Sequence, residues 1–276
     1  ANPLTFQALL CEGSNDIIFQ YLEVQPADMD YGAGASATIG LENASGTVAR
    51  VYSVNGSTLL TNNLAVRFTM DPGDISELKK LPNDTAVSIR RAIISCACSS
   101  LFYIESDDRS CGIMVNKPSH GFSAGIRVDV KGTLSTGGTG EKYIKNPTIT
   151  PNGKGSVKPL TATNRALGGQ DYYYDAITGA GQTGVKNPYG LNNVGLLFRI
   201  VGRVTYVGDV FFYIDDGSKL NDGSGYTGVR VVGTEVAMPP AGKYVSFIGA
   251  SSCWKNGSSE VQPQIRPPSQ VIEQYD

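Results

Sequence analysis

The side chains that could carry chemistry in this chain are few, and His120 is the single histidine among 276 residues. A histidine next to a serine could act as the base in nucleophilic catalysis, and Ser119 precedes His120. However, Lys117-Pro118-Ser119 predicts a loop at this point, and we predict no nucleophile elbow beside it. The sequence therefore indicates a solvated loop histidine and no catalytic residue.

Neighbouring carboxylates occur at Asp107-Asp108 and at Asp215-Asp216. Hydrolysis of a glycosidic bond needs two carboxyl groups that face each other across a cleft. Adjacent aspartates instead point to opposite faces of a strand, and in a loop they stabilise turns. The pattern predicts turns at both pairs, and we expect the chain not to be an enzyme.

A denser group of oxygen-bearing side chains lies at Asp215, Asp216, Asn221 and Asp222. Carboxylate and amide oxygens are the ligands that Ca²⁺ prefers, so calcium is the one cofactor that these residues suggest. Their spacing differs from that of an EF-hand, in which oxygen ligands alternate and a glutamate closes the loop. Acidic turns without a metal are the alternative, and the sequence favours them.

The chain has an odd number of cysteines: Cys11, Cys96, Cys98, Cys111 and Cys253. Three of them, Cys96, Cys98 and Cys111, could join His120 as four ligands of a zinc ion. One or two disulfides with an unpaired thiol are the favoured alternative, and they would fit an oxidising location.

The predicted location is extracellular or at the cell surface. Sequons for N-glycosylation begin at Asn43, Asn55, Asn83 and Asn256, which is compatible with secretion. No run of about 20 apolar residues is present, so we expect no membrane span. The chain begins without Met and its first residues resemble the middle of a domain, so we expect a processed protein or a fragment of a longer precursor.

The composition favours many short strands joined by turns. Charged residues make up 17% of the chain, and it contains 33 glycines and 14 prolines. Such a mixture is typical of an all-β protein with little helix. The net charge of −2 gives no general attraction to nucleic acid or to acidic membranes.

Residues 1–71 predict a β-sandwich that lacks part of its strands. The segment Leu64-Ala65-Val66-Arg67-Phe68 alternates apolar and polar side chains, and Ile17–Leu22 is a dense β-forming run. A closed sandwich usually needs about 100 residues. We therefore expect that strands are missing from this domain or that another chain supplies them. Beyond it, Asp74-Ile75-Ser76-Glu77 resembles a capping box, and it predicts one short helix near 75–81.

An internal repeat is the most informative feature of the remaining chain. Phe102-Tyr103-Ile104-Glu105 matches Phe212-Tyr213-Ile214-Asp215, and Gly112–Val115 matches Gly228–Val231. A third block, 125–132, matches 242–249 in the same order. Each copy predicts about five short strands, which is the arrangement of a small Greek-key barrel of the OB type.

The predicted organisation therefore has four parts. These are a partial β-sandwich at 1–71, an OB-like barrel with a helical lead-in at 72–170, a Gly- and Tyr-rich connector at 171–194, and a second OB-like barrel at 195–276. The stretches 211–218 and 222–231 resemble OB-fold repeats of large secreted bacterial surface proteins. The first domain is similar to the tail half of a β-sandwich in such proteins. The resemblance implies a fold and leaves the activity open.

OB barrels often bind oligonucleotides or oligosaccharides across strands 2 and 3, which makes two tyrosines candidates for ligand binding. Tyr103 and Tyr213 are equivalent in the repeat and are predicted to face outward, where they could stack on a base or sugar. Arg127 and Arg230 could add charge nearby, although Met114 replaces the second arginine in the first copy. In the connector, Tyr172, Tyr173 and Tyr174 could form a contact surface between chains or pack on a neighbouring barrel.

Two kinds of function remain from these features. The first is a structural protein, a surface or filament subunit that associates with copies of itself by strand exchange, because an incomplete sheet exposes unpaired backbone groups. The alternative is a binding module for extracellular polysaccharide, with nucleic acid a weaker candidate, or an accessory region of a larger secreted enzyme.

Overall fold

The computed structural model describes residues 4–11, 16–25, 29–42, 46–47, 49–68, 74–270 and 272–275. The predicted all-β class is confirmed, since nearly all the regular secondary structure of these residues is strand and helix is limited to short segments. The chain divides into two compact units, Ala1–Asp71 and Pro72–Asp276. Within the described ranges, no helix has the length and apolar content needed to cross a bilayer.

The first unit contains two small antiparallel sheets. One sheet has the order β1-β2-β5 and the other is the hairpin β3–β4. A short 3-10 segment, Met29–Gly34, lies between β2 and β3. The strands are β1 (Thr5–Cys11), β2 (Asp16–Glu23), β3 (Thr38–Glu42), β4 (Ala49–Val54) and β5 (Leu64–Phe68).

The two sheets of the first unit enclose a small core that covers only part of the apolar surface. Tyr21, Ile39 and Val66 are buried between the sheets. On the neighbouring strand β1, however, the side chains of Phe6 and Leu10 are 64% and 79% exposed. This unit is therefore the partial sandwich that its short sequence predicts, with an apolar strand left uncovered.

The second unit begins with the predicted helix, α1 (Ile75–Lys79), which is slightly shorter than expected. Asp74 caps it, because its carboxylate accepts a hydrogen bond from the Ser76 backbone N–H at 2.9 Å. Ile75 and Leu78 of the helix are buried in the core of the first barrel. The helix thus closes one end of that barrel, as its apolar spacing indicates.

Five strands after α1 form a closed barrel in the order β10-β8-β7-β6-β9. Strands β8 and β10 run parallel, and the other neighbours are antiparallel. This connectivity, 1-2-3-5-4-1 in the order of the chain, is that of an OB barrel. The strands are β6 (Ala86–Ala97), β7 (Leu101–Glu105), β8 (Gly112–Asn116), β9 (Ile126–Thr136) and β10 (Lys142–Lys154).

The connector between the barrels is more structured than its sequence predicts. It contains a 3-10 turn, Asn164–Ala166, and the short strands β11 (Leu160–Thr161), β12 (Tyr172–Asp175) and β13 (Ala180–Gln182). Gln182 is buried and bonds the first barrel, accepting from the Lys142 backbone N–H at 2.8 Å and donating to the Gly140 carbonyl at 3.0 Å. These long-range contacts have no periodic signal in the sequence.

The second barrel repeats the connectivity of the first. Its strands pair as β14-β15-β16-β18-β17, and β17 pairs again with β14, so that the five strands form a ring. Strands β16 and β18 are parallel, as are their counterparts β8 and β10. The strands are β14 (Leu197–Val207), β15 (Phe211–Asp215), β16 (Val229–Val232), β17 (Tyr244–Lys255), β18 (Val261–Arg266) and the edge strand β19 (Glu273–Tyr275).

The cores of the two barrels hold residues from the blocks that the sequence analysis pairs. Phe102 and Ile104 are buried in the first core, and Phe212 and Ile214 are buried in the second. A β-bulge interrupts β6 between Ile94 and Cys96, and an equivalent bulge interrupts β14 between Val204 and Tyr206. The assignment of 72–170, 171–194 and 195–276 to separate domains stays a prediction, because all three lie in one compact unit.

The predicted disulfides are wrong, since all five cysteines are free thiols. Cys96 at the end of β6 and Cys98 just after it contact the second barrel, and Cys111 lies in the first core. Cys253 is buried on β17, where its thiol donates to the Thr139 carbonyl. Four of the thiols, those of Cys96, Cys98, Cys111 and Cys253, bond backbone carbonyls in place of disulfide partners.

Candidate functional site

The two tyrosines predicted to bind a ligand lie on the outer faces of their barrels, as predicted, but neither is exposed. Tyr103 is 0% and Tyr213 is 1% exposed. The hydroxyl of Tyr103 donates to Glu141 Oε1 at 2.9 Å, and that of Tyr213 donates to Asp222 Oδ2 at 2.6 Å. The prediction that these rings stack on a ligand is therefore wrong, because each is covered by another part of the chain.

The second barrel covers the outer face of strands β6–β8 in the first. Cys96, Cys98 and Tyr103 form an apolar cluster there with Leu197 and Ala250 of the second barrel. The position that would carry a ligand in the first barrel is therefore a contact between barrels. Only small residues fit at one point of this contact, because a Cβ on Gly112 would lie 2.3 Å from the Gly195 carbonyl oxygen.

Buried polar groups fix the contact between the barrels. Glu141 accepts hydrogen bonds from Tyr103 of the first barrel and, at 2.8 Å, from the Ser252 hydroxyl of the second. Burial raises the pKa of the Glu141 carboxyl. Lys79 is also buried, and its Nζ donates to the carbonyls of Gly112 at 3.0 Å and Val194 at 2.9 Å. Satisfied buried networks of this kind favour one fixed arrangement.

The equivalent outer face of the second barrel is open. Its strand register aligns Tyr206 on β14, Tyr213 on β15, Arg230 on β16 and Gln264 on β18 in one row across the sheet. The corresponding row in the first barrel consists of Cys96, Tyr103, Met114 and Tyr143. The second barrel therefore has Tyr206 and Arg230 at the positions where the first barrel has Cys96 and Met114.

Several partly exposed rings gather on this open face. Tyr206 stacks on Tyr226 with ring centroids 3.6 Å apart and an angle of 21° between the planes. Phe211 lies 5.8 Å from Tyr206, and buried Tyr213 lies 5.2 Å from Tyr226. We call the set Tyr206, Phe211, Tyr213, Tyr226, Arg230 and Trp254 the aromatic surface.

The guanidinium of Arg230 lies between two rings of the aromatic surface. Its Cζ is 4.5 Å from the ring centroid of Phe211 and 5.0 Å from that of Trp254. One of its nitrogens donates to Gln264 Oε1. Burial lowers the pKa of Arg230, but an arginine stays protonated at any physiological pH. The surface thus presents a fixed positive charge flanked by rings.

The loop between β15 and β16 holds Tyr226 in place through turns. The carboxylate of Asp222 accepts from the Ser224 backbone N–H at 2.9 Å, and the Ser224 hydroxyl accepts from the Tyr226 backbone N–H at 3.2 Å. Because Asp222 also accepts from the Tyr213 hydroxyl, the loop is fastened to the sheet below it. The acidic loop therefore positions one ring of the aromatic surface.

The residues considered for calcium mostly form turns, which is the alternative that the sequence favours. Asp215 accepts from the Lys219 backbone N–H at 2.8 Å, Asp216 from that of Ser218 at 3.0 Å and Asn221 from that of Gly223 at 2.9 Å. In the part of the chain that the structure describes, no group of three His, Cys, Asp or Glu side chains could hold a metal ion. The geometry therefore gives calcium, and the zinc alternative, no support.

Arg127 does not join Arg230 in a strip along both barrels. Its guanidinium forms an ion pair with Asp107 at 2.8 Å and donates to the Arg91 carbonyl at 2.8 Å. The ion pair holds the loop after β7 against β9. Arg127 therefore stabilises the first barrel itself and lies apart from Arg230.

His120 is held by the first barrel and is not a solvated loop residue. Its Nδ1 accepts from the Phe122 backbone N–H at 3.0 Å, so Nε2 carries the proton and faces the carbonyls of Cys98 and Leu101. Its ring packs against Phe102 at 5.0 Å. Both nitrogens are engaged by the backbone, which is the arrangement of a structural histidine.

A Gly-x-Ser-x-Gly pattern follows His120 directly in the sequence. Gly121-Phe122-Ser123-Ala124-Gly125 carries the spacing of a nucleophile elbow, which the sequence prediction did not take into account. An elbow requires a strand, a sharp turn and a helix. Here the segment is the loop from β8 to β9, and a strand follows it. The segment therefore lacks the setting that activates a serine.

The three tyrosines of the connector differ in their contacts and in their exposure to solvent. The Tyr172 hydroxyl donates to the Ser76 carbonyl of α1 at 3.2 Å, which ties the connector to the first barrel. Tyr173 is 67% exposed, with the Lys80 ammonium 4.5 Å from its ring centroid. Tyr174 is 39% exposed. An interface role for these residues stays a prediction.

The asparagines of two predicted sequons form hydrogen bonds with other parts of the chain. The Asn83 side chain accepts from the Thr136 hydroxyl at 3.1 Å, and the Asn256 amide donates to the Asp222 carbonyl at 2.7 Å. Asn55 is exposed, and Asn43 lies outside the described residues. Exposed Asn55 is thus the sequon best placed for a glycan.

Sequence reasoning selected Tyr213 and Arg230 of the aromatic surface but not Tyr206, Tyr226 or Trp254. A bulge precedes Tyr206, a loop carries Tyr226, and Trp254 is near the end of a long strand, so none has a local signal.

No protein-family model matches this chain, and no curated protein matches it. The geometry of the aromatic surface therefore carries the functional argument.

Proposed function

We propose that this chain is a non-catalytic binding module whose second barrel holds an extracellular polysaccharide. The observation that carries the proposal is the group of partly exposed rings on the outer face of β14–β16. Aromatic rings bind the apolar faces of sugar rings, and OB barrels bind oligosaccharides on this face. The first barrel contributes no second site, because the second barrel covers its equivalent face.

Nucleic acid is the weaker ligand class for this surface. Binding a phosphate backbone takes several cations along the strand, and Arg230 is the one cation of the aromatic surface. Asp209 lies next to this surface and interacts unfavourably with an ionised Tyr206, and the net charge of the chain is −2. With every cysteine free, the extracellular location rests on the composition and the sequons.

Electrophoresis in native gels that contain single polysaccharides tests the proposal. We expect at least one polysaccharide to retard the wild-type chain, and Tyr206→Ala and Tyr226→Ala each to weaken the retardation about tenfold, because a lost stack costs roughly 1–2 kcal/mol. Tyr244→Ala is the matched control, since Tyr244 is 50% exposed on β17 of the same barrel and outside the aromatic surface. Equal retardation of all variants, or of none, would contradict the proposal.

Self-association is a second candidate, and strand β1 favours it. In the described part of the first unit β1 pairs with β2 alone, so its other edge offers unpaired backbone groups. The exposed side chains of Phe6 and Leu10 add apolar surface on the same strand. A strand from another copy could pair with this edge.

Light scattering across a dilution series tests self-association. The candidate predicts a mass above 29.3 kDa that falls on dilution and a shift to monomer in Leu10→Lys. Leu59→Lys is the control, because Leu59 is similarly exposed at 61% but lies outside the strands. A monomer at all concentrations would remove this candidate and leave the binding module unaffected.

A further inference from the structure

Arg230 lacks an anionic partner, which sets it apart on the aromatic surface. None of the ion pairs among the described residues includes it. Its one side-chain hydrogen bond goes to the neutral amide of Gln264. Arg127, Arg199 and the lysines Lys80, Lys145 and Lys186 each lie near a carboxylate. Arg230 is therefore a partly buried charge without a counter-ion.

Asp222, the carboxylate that attracts Arg230, is already engaged. Asp222 attracts Arg230 weakly, but its two carboxylate oxygens accept from the Tyr213 hydroxyl and the Ser224 backbone N–H. Arg266, a second cation, repels Arg230. A guanidinium with free donors, held rigidly by rings, is the group that binds a carboxylate or sulfate best.

The neighbouring tryptophan contributes its ring to the surroundings of Arg230. The Trp254 ring contacts the Arg230 guanidinium, whereas its indole Nε1 is buried without a hydrogen-bond partner among the described residues. The first barrel has no such cation, because Met114 occupies the position equivalent to Arg230. The cation thus occurs on the open face and is missing from the closed one.

We infer that the ligand of the aromatic surface is an acidic polysaccharide, and that Arg230 binds a uronate carboxylate while the neighbouring rings stack on the sugar. This inference rests on the proposed function and specifies its ligand class. A single cation among rings fits a polymer with one dispersed charge per sugar. A nucleic acid, with its closely spaced phosphates, would require more cations than this surface offers.

Two ligands that differ in charge alone test the inference. Polygalacturonate and its methyl-esterified form share a backbone, and esterification removes the carboxylate charge. Gel retardation should show polygalacturonate binding roughly 10- to 100-fold tighter than the ester, because a charged hydrogen bond is lost in the ester. Hyaluronate and dextran widen the test to a second polyuronate and a second neutral polymer, and a single-stranded oligonucleotide represents nucleic acid.

Arg230→Met is the variant of choice, because the first barrel accommodates Met at the equivalent position. We expect it to lose the preference for polyuronates and Arg230→Lys to keep part of it. Arg203→Met is the control, since it removes the same charge from an exposed position of the same barrel outside the aromatic surface. Thermal unfolding verifies that each variant is folded.

The outcomes separate the inference from the proposed function. A preference for polyuronates that Arg230→Met abolishes and Arg203→Met keeps supports the inference. Equal binding of acidic and neutral polysaccharides overturns it and leaves the binding module standing. Retardation by the oligonucleotide alone, or by no polymer in the panel, overturns both.

Discussion

Tyr103 and Tyr213 occupy equivalent positions in the two barrels, and each donates its hydroxyl proton to a buried carboxylate. The acceptor of Tyr103 is Glu141, which also bonds Ser252 of the second barrel, whereas the acceptor of Tyr213 is Asp222 in a loop of its own barrel. One tyrosine therefore belongs to a contact between barrels and the other supports an open surface. This difference leaves one of two equivalent barrel faces covered and the other open.

Loss of the Tyr103 hydroxyl is expected to weaken the fold without affecting the ligand. Tyr103→Phe leaves Glu141 buried with one donor fewer, which should lower the free energy of unfolding by about 1–3 kcal/mol. Urea unfolding measures this change, and gel retardation by polysaccharide should stay at the wild-type level. Weaker polysaccharide binding by a folded Tyr103→Phe protein would show that Tyr103 belongs to the binding site after all.

The pH dependence of stability should report on Glu105. Burial raises the pKa of this carboxyl from its ordinary value of 4.5 to about 7, although its Oε1 accepts from the Leu197 backbone N–H at 2.6 Å. Its Oε2 is buried without a hydrogen-bond partner among the described residues. The folded chain therefore holds the proton more tightly than the unfolded chain does. Stability from this group is fully present below the unfolded pKa and is lost as the pH rises through 7.

Glu105→Gln removes this titration and should change the pH profile accordingly. Between about pH 4.5 and pH 8, the free energy of unfolding of the wild type should fall relative to the variant by up to about 3 kcal/mol. Urea unfolding at several pH values measures the difference, in which the other titrating groups largely cancel. Parallel profiles for the two proteins would mean that Glu105 ionises normally in the folded chain.

The contact between the barrels should be sensitive to a single methyl group. Gly112→Ala would place a Cβ 2.3 Å from the Gly195 carbonyl oxygen, so the two barrels would have to separate locally. We expect a loss of roughly 1–3 kcal/mol in the free energy of unfolding. Gly138→Ala serves as the control, because a Cβ there meets no atom within 4 Å. Similar stability of both variants would indicate that this contact is loose.

Much of the architecture was predictable because its signals are local. Alternation along Phe212-Tyr213-Ile214 identifies the core face of β15, and the repeat of such blocks predicts two barrels with one connectivity. Alternation assigns a side chain to a face but does not say what lies above it. Tyr103 is covered by the second barrel and Tyr213 by the loop that carries Tyr226, and both are long-range contacts.

The site itself was less predictable, because strand register assembles it. Arg230 is a candidate ligand-binding residue in the sequence analysis. The two rings that it contacts, Phe211 and Trp254, lie 19 and 24 residues away in the chain. Cysteine counting failed for a related reason, since it assumes that thiols pair, whereas all five are free and even the neighbouring thiols of Cys96 and Cys98 each bond a backbone carbonyl. Residue types indicate which chemistry is available, and the fold decides which residues come together.

The fluorescence of Trp254 during a polysaccharide titration tests the central claim most directly, because Trp254 is the single tryptophan of the chain and lies on the aromatic surface. We predict that polygalacturonate changes its emission with saturation, that Tyr206→Ala weakens this response about tenfold, and that Arg230→Met removes the advantage over the methyl ester. A chain that is retarded by polysaccharide in a gel while the emission of Trp254 stays constant would place the binding site elsewhere and contradict the account.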